Sequence, residues 1–191
     1  MNFERSAIPD VIICKPDVFS DNRGFFLESF RKDKLEEFLG FSIDFCQDNE
    51  SKSLKGVLRG MHYQLPPYSQ SKLVRVIQGS VLDIAVDIRK GSPYFGQHIA
   101  VELNDTEKNQ LFVPRGFAHG FVVLSDEALF SYKCDNYYEP DYERGFAFDD
   151  KKVNIDWLLE RKKLILSEKD LNQPCFKEAE VFDYNINYYE K

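Results

Sequence analysis

The sequence predicts an all-β sandwich or barrel, and three observations lead to this prediction. Aromatic residues are plentiful, with 17 Phe and 10 Tyr among 191 residues, and these residues favour strands over helices. Short apolar runs broken by turn residues recur along the first two-thirds of the chain. Only one stretch in that part has helical spacing. Regularly spaced short strands are typical of a sandwich or barrel rather than of a parallel α/β sheet.

The first forty residues predict two extended segments and one helix. An apolar run at 11–14 is followed by a turn at 20–24, which is rich in Asp, Asn and Gly. Residues 24–30 predict a strand. Apolar residues recur on one face of 31–40, which predicts a helix that ends at Gly40.

Eight further strands are predicted between residues 45 and 135, each bounded by turn residues. They cover 45–49, 56–64, 72–77, 81–88, 97–103, 110–113, 117–124 and 128–135. The tripeptide Gln78-Gly79-Ser80 separates two of these runs by a short turn, which predicts that they form a hairpin.

The last quarter of the chain has a different composition. Residues 137–150 are rich in aromatic and acidic residues and are expected to be largely loop, whereas 158–165 are expected to form a short helix. Residues 182–191 are polar and aromatic, and are expected to fray or to lie against a partner. We predict a single domain over 1–191, with a core at about 8–174 and a tail at 176–191.

Composition narrows the functional class. The net charge is −7 with acids and bases mixed along the chain, which argues against a nucleic-acid surface but permits a local pocket for a small anion. The cysteines are far apart and form no CxxC pair, which predicts buried free thiols in a reducing compartment; they are Cys14, Cys46, Cys134 and Cys175. No secretion signal and no apolar run of membrane-spanning length is present, so we expect a cytoplasmic protein with no membrane contact.

Polar residues within apolar runs mark the candidate site. Asn49, Arg59, His62 and Gln64 lie in or beside runs that predict buried strands. Buried polar groups need partners, and a ligand is the natural partner where the protein supplies none. A histidine held by an internal partner is the alternative interpretation for His62.

A metal site is one way to use these histidines. The pattern Pro114-x-Gly116-x-x-His119 resembles the second conserved motif of the cupin superfamily, whose jelly roll often binds a divalent metal. Such cupins also carry closely spaced histidines and a glutamate in a first motif, whereas Tyr63 and Gln64 follow His62 here. Lys72 lies near the place of another ligand, and an ammonium group cannot bind a metal. We therefore expect neither a metal nor another cofactor.

Proton transfer is the second possibility. Removing a proton next to a ketone requires a base with a pKa near the working pH, a cation for the enolate oxygen, and an acid on the opposite face. His62 suits the first role because the pKa of histidine is ordinarily about 6.5. Lys72 is a candidate for the second role and Tyr132 for the third. A solvated lysine and a core tyrosine remain the structural alternatives.

The order of several segments resembles that of the dTDP-4-dehydrorhamnose 3,5-epimerase family, whose members are metal-free cupins of nucleotide-sugar metabolism. The segments are Asp21-x-Arg23-Gly24, 47–51, 56–64, 72–76, Pro114-x-Gly116 through Phe121, and 132–134. The similarity extends from about residue 8 to about residue 174. It implies a cupin-type double-stranded β-helix, or jelly roll, with short peripheral helices.

The resemblance also implies roles for residues at matching positions. His62 matches the proton acceptor, Asp170 the acid that pairs with it, and Tyr132 the proton donor. Lys72 and His119 match residues that face the sugar. The remaining matches are binding positions, among which Tyr138 corresponds to the aromatic that stacks on thymine; they are Arg23, Glu28, Gln47, Asn49, Arg59, Tyr138, Glu143 and Lys169.

The expected activity is the conversion of dTDP-4-dehydro-6-deoxy-D-glucose to dTDP-4-dehydro-L-rhamnose, for dTDP-L-rhamnose and cell-surface polysaccharide biosynthesis. The family implies a homodimer that exchanges N-terminal strands. Three alternatives stay open: an epimerase that inverts only C3 or C5 of a related nucleotide-linked 4-keto sugar, a non-catalytic sugar-nucleotide-binding cupin, and a metal-dependent cupin oxygenase or isomerase.

Overall fold

Two antiparallel sheets that face each other form the cupin jelly roll in the computed structural model, which describes residues 1–190. The six-stranded sheet has the order β1-β2-β11-β7-β13-β5, with strands β1 (Asn2–Arg5), β2 (Ile12–Lys15), β5 (Gln47–Leu54), β7 (Lys72–Gln78), β11 (Gln110–Val113) and β13 (Glu127–Cys134). The five-stranded sheet has the order β10-β8-β12-β6-β14, with strands β6 (Leu58–Gln64), β8 (Ser80–Asp87), β10 (His98–Asn104), β12 (Phe117–Val123) and β14 (Glu143–Gly145).

The remaining elements are short and peripheral. Strands β3 (Val18–Asp21) and β4 (Gly24–Leu27) form a separate hairpin, and β9 (Arg89–Lys90) pairs in parallel with β15 (Phe182–Asp183). The helices are α1 (Lys32–Leu39) and α2 (Glu168–Leu171), with 3-10 turns at Pro140–Tyr142, Arg161–Lys163 and Phe176–Glu178. The all-β prediction is thus confirmed. No helix within residues 1–190 is long and apolar enough to cross a membrane.

Alternation along the strands gives the molecule its core. In β8, Val81 and Ala85 face the six-stranded sheet, whereas Leu82 and Ile84 face the opposite way, so the strand is buried on both sides. The outer face of the five-stranded sheet packs under the C-terminal quarter of the chain, including Trp157. These contacts keep the sheet that carries the candidate site between two apolar layers.

Helix α1 covers the outer face of the six-stranded sheet. Leu35 is buried there against Ile12, Leu73 and Phe112. Gly40 ends the helix in the left-handed conformation, with φ +82°, and donates its N–H to Glu36 O at 2.8 Å. The prediction of a helix over 31–40 is confirmed.

The predicted hairpin at 78–80 is wrong, because β7 and β8 lie in different sheets. Each of these strands already has a neighbour on both sides, so neither has a free edge for the other. Gly79 instead carries the chain from one sheet to the other, with φ +84° and its N–H bonded to Asp105 Oδ2 at 2.7 Å.

Three other segments differ from expectation. β5 continues to Leu54 rather than ending at residue 49, and β14 lies inside the region expected to be loop. The helix expected at 158–165 is reduced to the turn Arg161–Lys163, because Ile165 is held extended by main-chain bonds. Its N–H donates to Gly56 O at 2.8 Å, and its carbonyl accepts from Leu58 N–H at 2.9 Å.

The C-terminal tail and the cysteines each differ in part from what the sequence predicts. The tail does not fray within the described range: Phe182 is buried and Tyr189 is bonded to the barrel, while Lys191 lies outside the described residues. All four cysteines are free, as predicted, but only Cys14 and Cys134 are buried. Cys46 and Cys175 are exposed, because they lie in irregular segments at the surface.

The sheet crossover at Gly79 makes a stability prediction with a built-in control. A Cβ at residue 79 would lie 2.2 Å from Glu127 O, whereas a Cβ at residue 40 would meet nothing within 4 Å, and both glycines have nearly the same φ. Gly40→Ala should cost about 1–2 kcal/mol of unfolding free energy from backbone strain alone. Gly79→Ala should cost about 1–3 kcal/mol more, because the main chain must move. Urea unfolding of both variants measures the difference, and equal losses would contradict the clash at Gly79.

Candidate active site

A cavity of about 580 Å³ opens between the two sheets. The six-stranded sheet contributes residues from β5, β7 and β13, the five-stranded sheet contributes residues from β6 and β12, and α2 closes one side. A second cavity of about 370 Å³ adjoins it and shares Asn49, His62, Lys72 and Tyr132. All predicted site residues line one or both cavities, except Arg23 and Glu28.

A β-bulge places Arg59 and His62 on the same side of β6. His119 pairs with His62 and Phe121 pairs with Arg59, so two residues of β6 oppose the single residue Gly120. Without the extra residue, positions three apart on a strand would face opposite ways. The bulge needs glycine at both points of contact: a Cβ on Gly60, which has φ +141°, would meet Gly120 Cα at 2.6 Å.

His62 and Asp170 form a hydrogen-bonded pair within the cavity. His62 Nε2 lies 2.6 Å from Asp170 Oδ1, and the second oxygen, Oδ2, accepts a bond from Ser167 Oγ at 2.7 Å. Burial alone would raise the pKa of Asp170, but the bonds from His62 and Ser167 outweigh it and hold that pKa below its ordinary value. The carboxylate therefore accepts the proton on Nε2 and leaves Nδ1 as the basic nitrogen of His62.

His119 belongs to a second histidine–aspartate pair. Its Nε2 lies 3.0 Å from each carboxyl oxygen of Asp83, which is completely buried on β8. Burial raises the pKa of Asp83, and His119 opposes that rise. Asp83 was not predicted as a site residue. Its signal in the sequence is a lone acid inside the apolar run Val81–Val86.

Lys72 and Tyr132 lie next to each other across from the histidines. Lys72 Nζ is 5.9 Å from the centroid of the Tyr132 ring, and within residues 1–190 Lys72 forms no ion pair. Burial lowers the pKa of Lys72 and raises the pKa of Tyr132, since each charged form loses hydration. The amino group of Lys72 is thus available to a ligand in the cavity, rather than belonging to the solvated surface lysine that was the alternative.

Glu143 connects two segments at the cavity mouth. It accepts a hydrogen bond from Tyr138 Oη at 2.6 Å and forms an ion pair with Lys169, the residue before Asp170. This hydrogen bond to Glu143 raises the pKa of Tyr138 to about 12. Burial opposes ionisation of Glu143, but Lys169 and Tyr138 outweigh it and lower the pKa of Glu143. Gln47 fixes the same loop by accepting the N–H of Tyr138 at 3.0 Å.

Two polar groups on the wall differ in how they are satisfied. Arg59 donates through Nε and Nη2 to Ser53 Oγ, at 3.2 Å each. Ser51 Oγ is buried beside the cavity and has no hydrogen-bond partner within residues 1–190. A buried hydroxyl without a partner is available to a ligand. Ser51 lies in the 47–51 segment that resembles the epimerase family but was not predicted as a site residue.

The structure places Arg23 and Glu28 away from both cavities of their own chain. Arg23 is exposed at the turn of the β3–β4 hairpin and binds Asp21. Glu28 lies just after that hairpin, beside Arg31 and Lys34. Within residues 1–190, no group of three or more His, Cys, Asp or Glu side chains is arranged to hold a metal ion.

Comparison with known proteins identifies close relatives. Residues 5–178 match the family model described as dTDP-4-dehydrorhamnose 3,5-epimerase. The chain is 53% identical to the dTDP-4-dehydrorhamnose 3,5-epimerase of Shigella flexneri over 182 residues, which is 95% of this chain and 99% of that protein. It is 48% identical to the enzyme of the same name from Pseudomonas aeruginosa, covering 95% and 99% of the two chains.

Solved structures show the same similarity. The 3,5-epimerase from Legionella pneumophila, in complex with dTDP-4-keto-L-rhamnose, superposes with a TM-score of 0.93 at 44% identity, covering 97% of this chain and 99% of that one. A 3′-monoepimerase from Streptomyces bikiniensis, in complex with dTDP-quinovose, superposes with a TM-score of 0.85 at 30% identity, covering 90% and 86%.

The Ser167–Asp170 contact makes a pH-dependent prediction. Ser167→Ala removes the cap of α2 and should cost about 1 kcal/mol of unfolding free energy at pH 7. Because the pKa of Asp170 is lowered in the folded protein, its ionised form stabilises the fold above about pH 4 and loses this effect as pH falls through the folded pKa. The deficit of the variant should therefore be full at pH 7 and should become smaller as the pH is lowered below about 4 through the folded pKa of Asp170.

Urea unfolding at pH 7 and at a series of pH values below about 4 checks this expectation. Ser51→Ala is the matched control, since its hydroxyl is buried without a partner and its removal should not lower stability. A deficit for Ser167→Ala that is independent of pH would contradict the role of Ser167 in stabilising the ionised carboxylate.

Proposed function

The chain belongs to the dTDP-4-dehydrorhamnose 3,5-epimerase family, and on this premise we propose how its cavity inverts a sugar. It is an isomerase that converts dTDP-4-dehydro-6-deoxy-D-glucose to dTDP-4-dehydro-L-rhamnose by inversion at C3 and C5. The observation that carries the mechanism is the 2.6 Å bond between His62 and Asp170, in a cavity that also holds a half-buried phenol and a lysine that forms no ion pair with residues 1–190.

His62 is the proposed base. With Asp170 holding the proton on Nε2, Nδ1 removes the proton from C5 and then, in a second round, from C3. The C4 ketone makes both of these protons acidic, because the electron pair left on carbon delocalises onto the ketone oxygen as an enolate. A positioned base of this kind contributes about 10²–10⁴-fold to the rate.

Lys72 and Tyr132 complete the proposed mechanism. The ammonium group of Lys72 stabilises the negative charge that develops on the C4 oxygen, because a positioned cation inside a cavity interacts more strongly with a developing anion than a cation in bulk water does. Tyr132 donates its phenol proton to the carbon from the face opposite His62, which inverts the centre. His62 then releases the abstracted proton to solvent, and the phenolate of Tyr132 takes up a proton from solvent, before the second round.

The rest of the cavity suits the nucleotide and the sugar hydroxyl groups. We propose that Tyr138 stacks on thymine, with Gln47, Asn49, Glu143 and Lys169 beside it. Arg59 binds the diphosphate, since a guanidinium group forms paired bonds with phosphate oxygens. His119 faces the sugar. Ser51, with its unsatisfied hydroxyl, is a further donor for a sugar oxygen.

We propose that the protein acts as a single-domain homodimer in the cytoplasm. The β3–β4 hairpin exposes Phe19, Phe25 and Phe26 to between 58% and 69%, although large aromatic groups are normally covered. Covering by a second copy would bring Arg23 and Glu28 to the neighbouring cavity. The four free thiols support a reducing compartment.

Substitution of the proposed base should stop the chemistry. His62→Ala should lower kcat/KM by about 10³-fold or more and should abolish exchange of solvent deuterium at both C3 and C5. His98→Ala is the control, because His98 lies outside both cavities. NMR of the dTDP-4-keto sugar in deuterium oxide measures both quantities, and retained exchange would remove His62 as the base.

The stereochemistry of the wild-type product separates 3,5-inversion from inversion at C3 alone.

Substitution of the proposed acid should separate inversion from exchange. Tyr132→Phe should lower inversion by about 10²-fold, while exchange through His62 falls much less. Tyr94→Phe is a matched control, since Tyr94 packs against the same apolar cluster without lining either cavity. Inversion at the wild-type rate in Tyr132→Phe would assign the acid to another group.

Charging the exposed hairpin should break the proposed dimer. Phe26→Asp should produce monomers in sedimentation experiments and should raise KM, because Arg23 and Glu28 would no longer reach a neighbouring cavity. Leu158→Asp is the control, as it changes a similarly exposed apolar residue elsewhere. A Phe26→Asp protein that stays dimeric with unchanged KM would place the interface on another surface.

A further inference from the structure

The C-terminal segment 179–190, here called the strap, has no part in the mechanism above. It begins just after residue 178, where the match to the family model ends. It nevertheless crosses the back of the five-stranded sheet and reaches the start of β7. It is attached to the barrel at three places, and two of them adjoin residues of the cavity.

The first attachment lies behind His62. Tyr63, the next residue, is buried and donates its hydroxyl proton to Glu180 O at 2.6 Å. The carboxylate of Glu180 forms an ion pair with Arg144, which is paired with Tyr63 across β6 and β14 and directly follows Glu143. One residue of the strap thus holds the two strands that carry His62 and Glu143.

The second attachment lies at the end of β8. Phe182 is buried against the Tyr63 ring, with ring centroids 6.2 Å apart, and donates its N–H to Ile88 O at 3.1 Å. The guanidinium group of Arg89 lies over the ring of Tyr184, with Arg89 Cζ 5.1 Å from the ring centroid. These contacts fix the path of the strap between its two ends.

The third attachment lies behind Lys72. Tyr189 Oη is 2.6 Å from Ser71 Oγ and accepts the N–H of Arg115 at 3.1 Å. The carboxylate of Asp135 accepts Ser71 N–H at 2.5 Å and Arg115 Nε–H at 3.0 Å. Ser71 is completely buried and directly precedes Lys72. The side chains of Tyr189 and Asp135 therefore both bond Ser71 just before β7, and Arg115 links these two side chains to each other.

We propose that the strap braces the active site from behind, with Tyr189 and Tyr63 as positioning residues for Lys72 and His62. This inference rests on the proposed function for its effect on rate. Neighbouring residues of a strand point to opposite faces, so the bond from Tyr63 to the strap restrains the backbone of His62 from the face opposite the imidazole, and the bonds to Ser71 restrain the backbone next to Lys72. Catalytic groups need such support, because a displacement of about 1 Å can cost about 10²-fold in rate.

Loss of single hydroxyl groups tests the proposal without removing the strap. Tyr189→Phe keeps the ring that packs 4.3 Å from Phe41 but loses the bonds to Ser71 and Arg115. We expect kcat to fall by about 3–10-fold with little change in KM, and by more in the double variant with Tyr63→Phe. Ser71→Ala combined with Tyr189→Phe should be no worse than Tyr189→Phe alone, because Tyr189→Phe already removes the bond that Ser71→Ala would break.

Tyr188→Phe is the matched control. Its hydroxyl accepts the N–H of Asp183 at 2.8 Å, so the lost bond lies within the strap and touches neither site strand. We expect kcat within twofold of wild type, although the loss of this bond should also lower Tm. If the strap served stability alone, kcat would instead fall in proportion to Tm in Tyr189→Phe, in the double variant with Tyr63→Phe, and in Tyr188→Phe.

Two further readouts isolate positioning. Burial lowers the pKa of Lys72, so loosening Ser71 should admit water, raise that pKa, and move the alkaline limb of kcat/KM to higher pH in Tyr189→Phe but not in Tyr188→Phe. In the ligand-free protein, hydrogen exchange at residues 71–74 should become faster in Tyr189→Phe, while exchange in β10 stays unchanged.

Two results would overturn the proposal. One is that the wild type inverts its substrate and Tyr189→Phe nevertheless has the same kcat and the same pH profile as Tyr188→Phe. The other is hydrogen exchange at 71–74 that is the same in both variants. If the wild type inverts no dTDP-linked 4-keto sugar, the proposed function fails, and the hydrogen-exchange measurement still decides whether the strap restrains the start of β7.

Discussion

The close approach of Gly60 to Gly120 is the constraint on which the site depends. Two backbones can lie this near only without side chains, and their contact admits the extra residue that turns Arg59 and His62 to one side. The same pairing brings His119 opposite His62. A backbone irregularity in one pair of strands thereby assembles a guanidinium group and two imidazoles along one wall of the cavity.

Burial acts differently on the charged groups around this wall. Asp170 and Glu143 are held ionised by specific donors, so each keeps a defined geometry. Asp83 is buried more deeply, and the hydrogen-bonded His119 and the nearby charge of Lys72 only partly offset the cost, so the pKa of Asp83 is raised. Lys72 is the exception, a cation whose partner is not supplied by the described residues. A site built in this way is complete only when an anion develops beside Lys72.

The sequence predicted elements well where local pattern decides structure. Helix 31–40 is fixed by its apolar face and by Gly40, and the 110–113 strand was placed to the residue. Pairing between strands is not local, so the turn at Gly79 could not reveal that β7 and β8 belong to different sheets. Ile165 is likewise extended because of Gly56, more than a hundred residues earlier.

The same distinction holds for the site. Resemblance supplied the residues that now line the cavities, because motif order survives in sequence. It did not supply Asp83, whose partner His119 lies 36 residues away, or the strap, which lies beyond the matched range. Arg23 and Glu28 remain predictions, since their place depends on a second copy of the chain.

The separation of 108 residues between His62 and Asp170 has a consequence for biosynthesis. A chain made from its N-terminus has all strands of the six-stranded sheet once Cys134 has emerged, and domains begin to fold as they leave the ribosome. At that stage the imidazole exists without its carboxylate. The histidine–aspartate pair on which the proposed mechanism rests can therefore form only after residue 170 has emerged, later than the sheet that carries Lys72 and Tyr132.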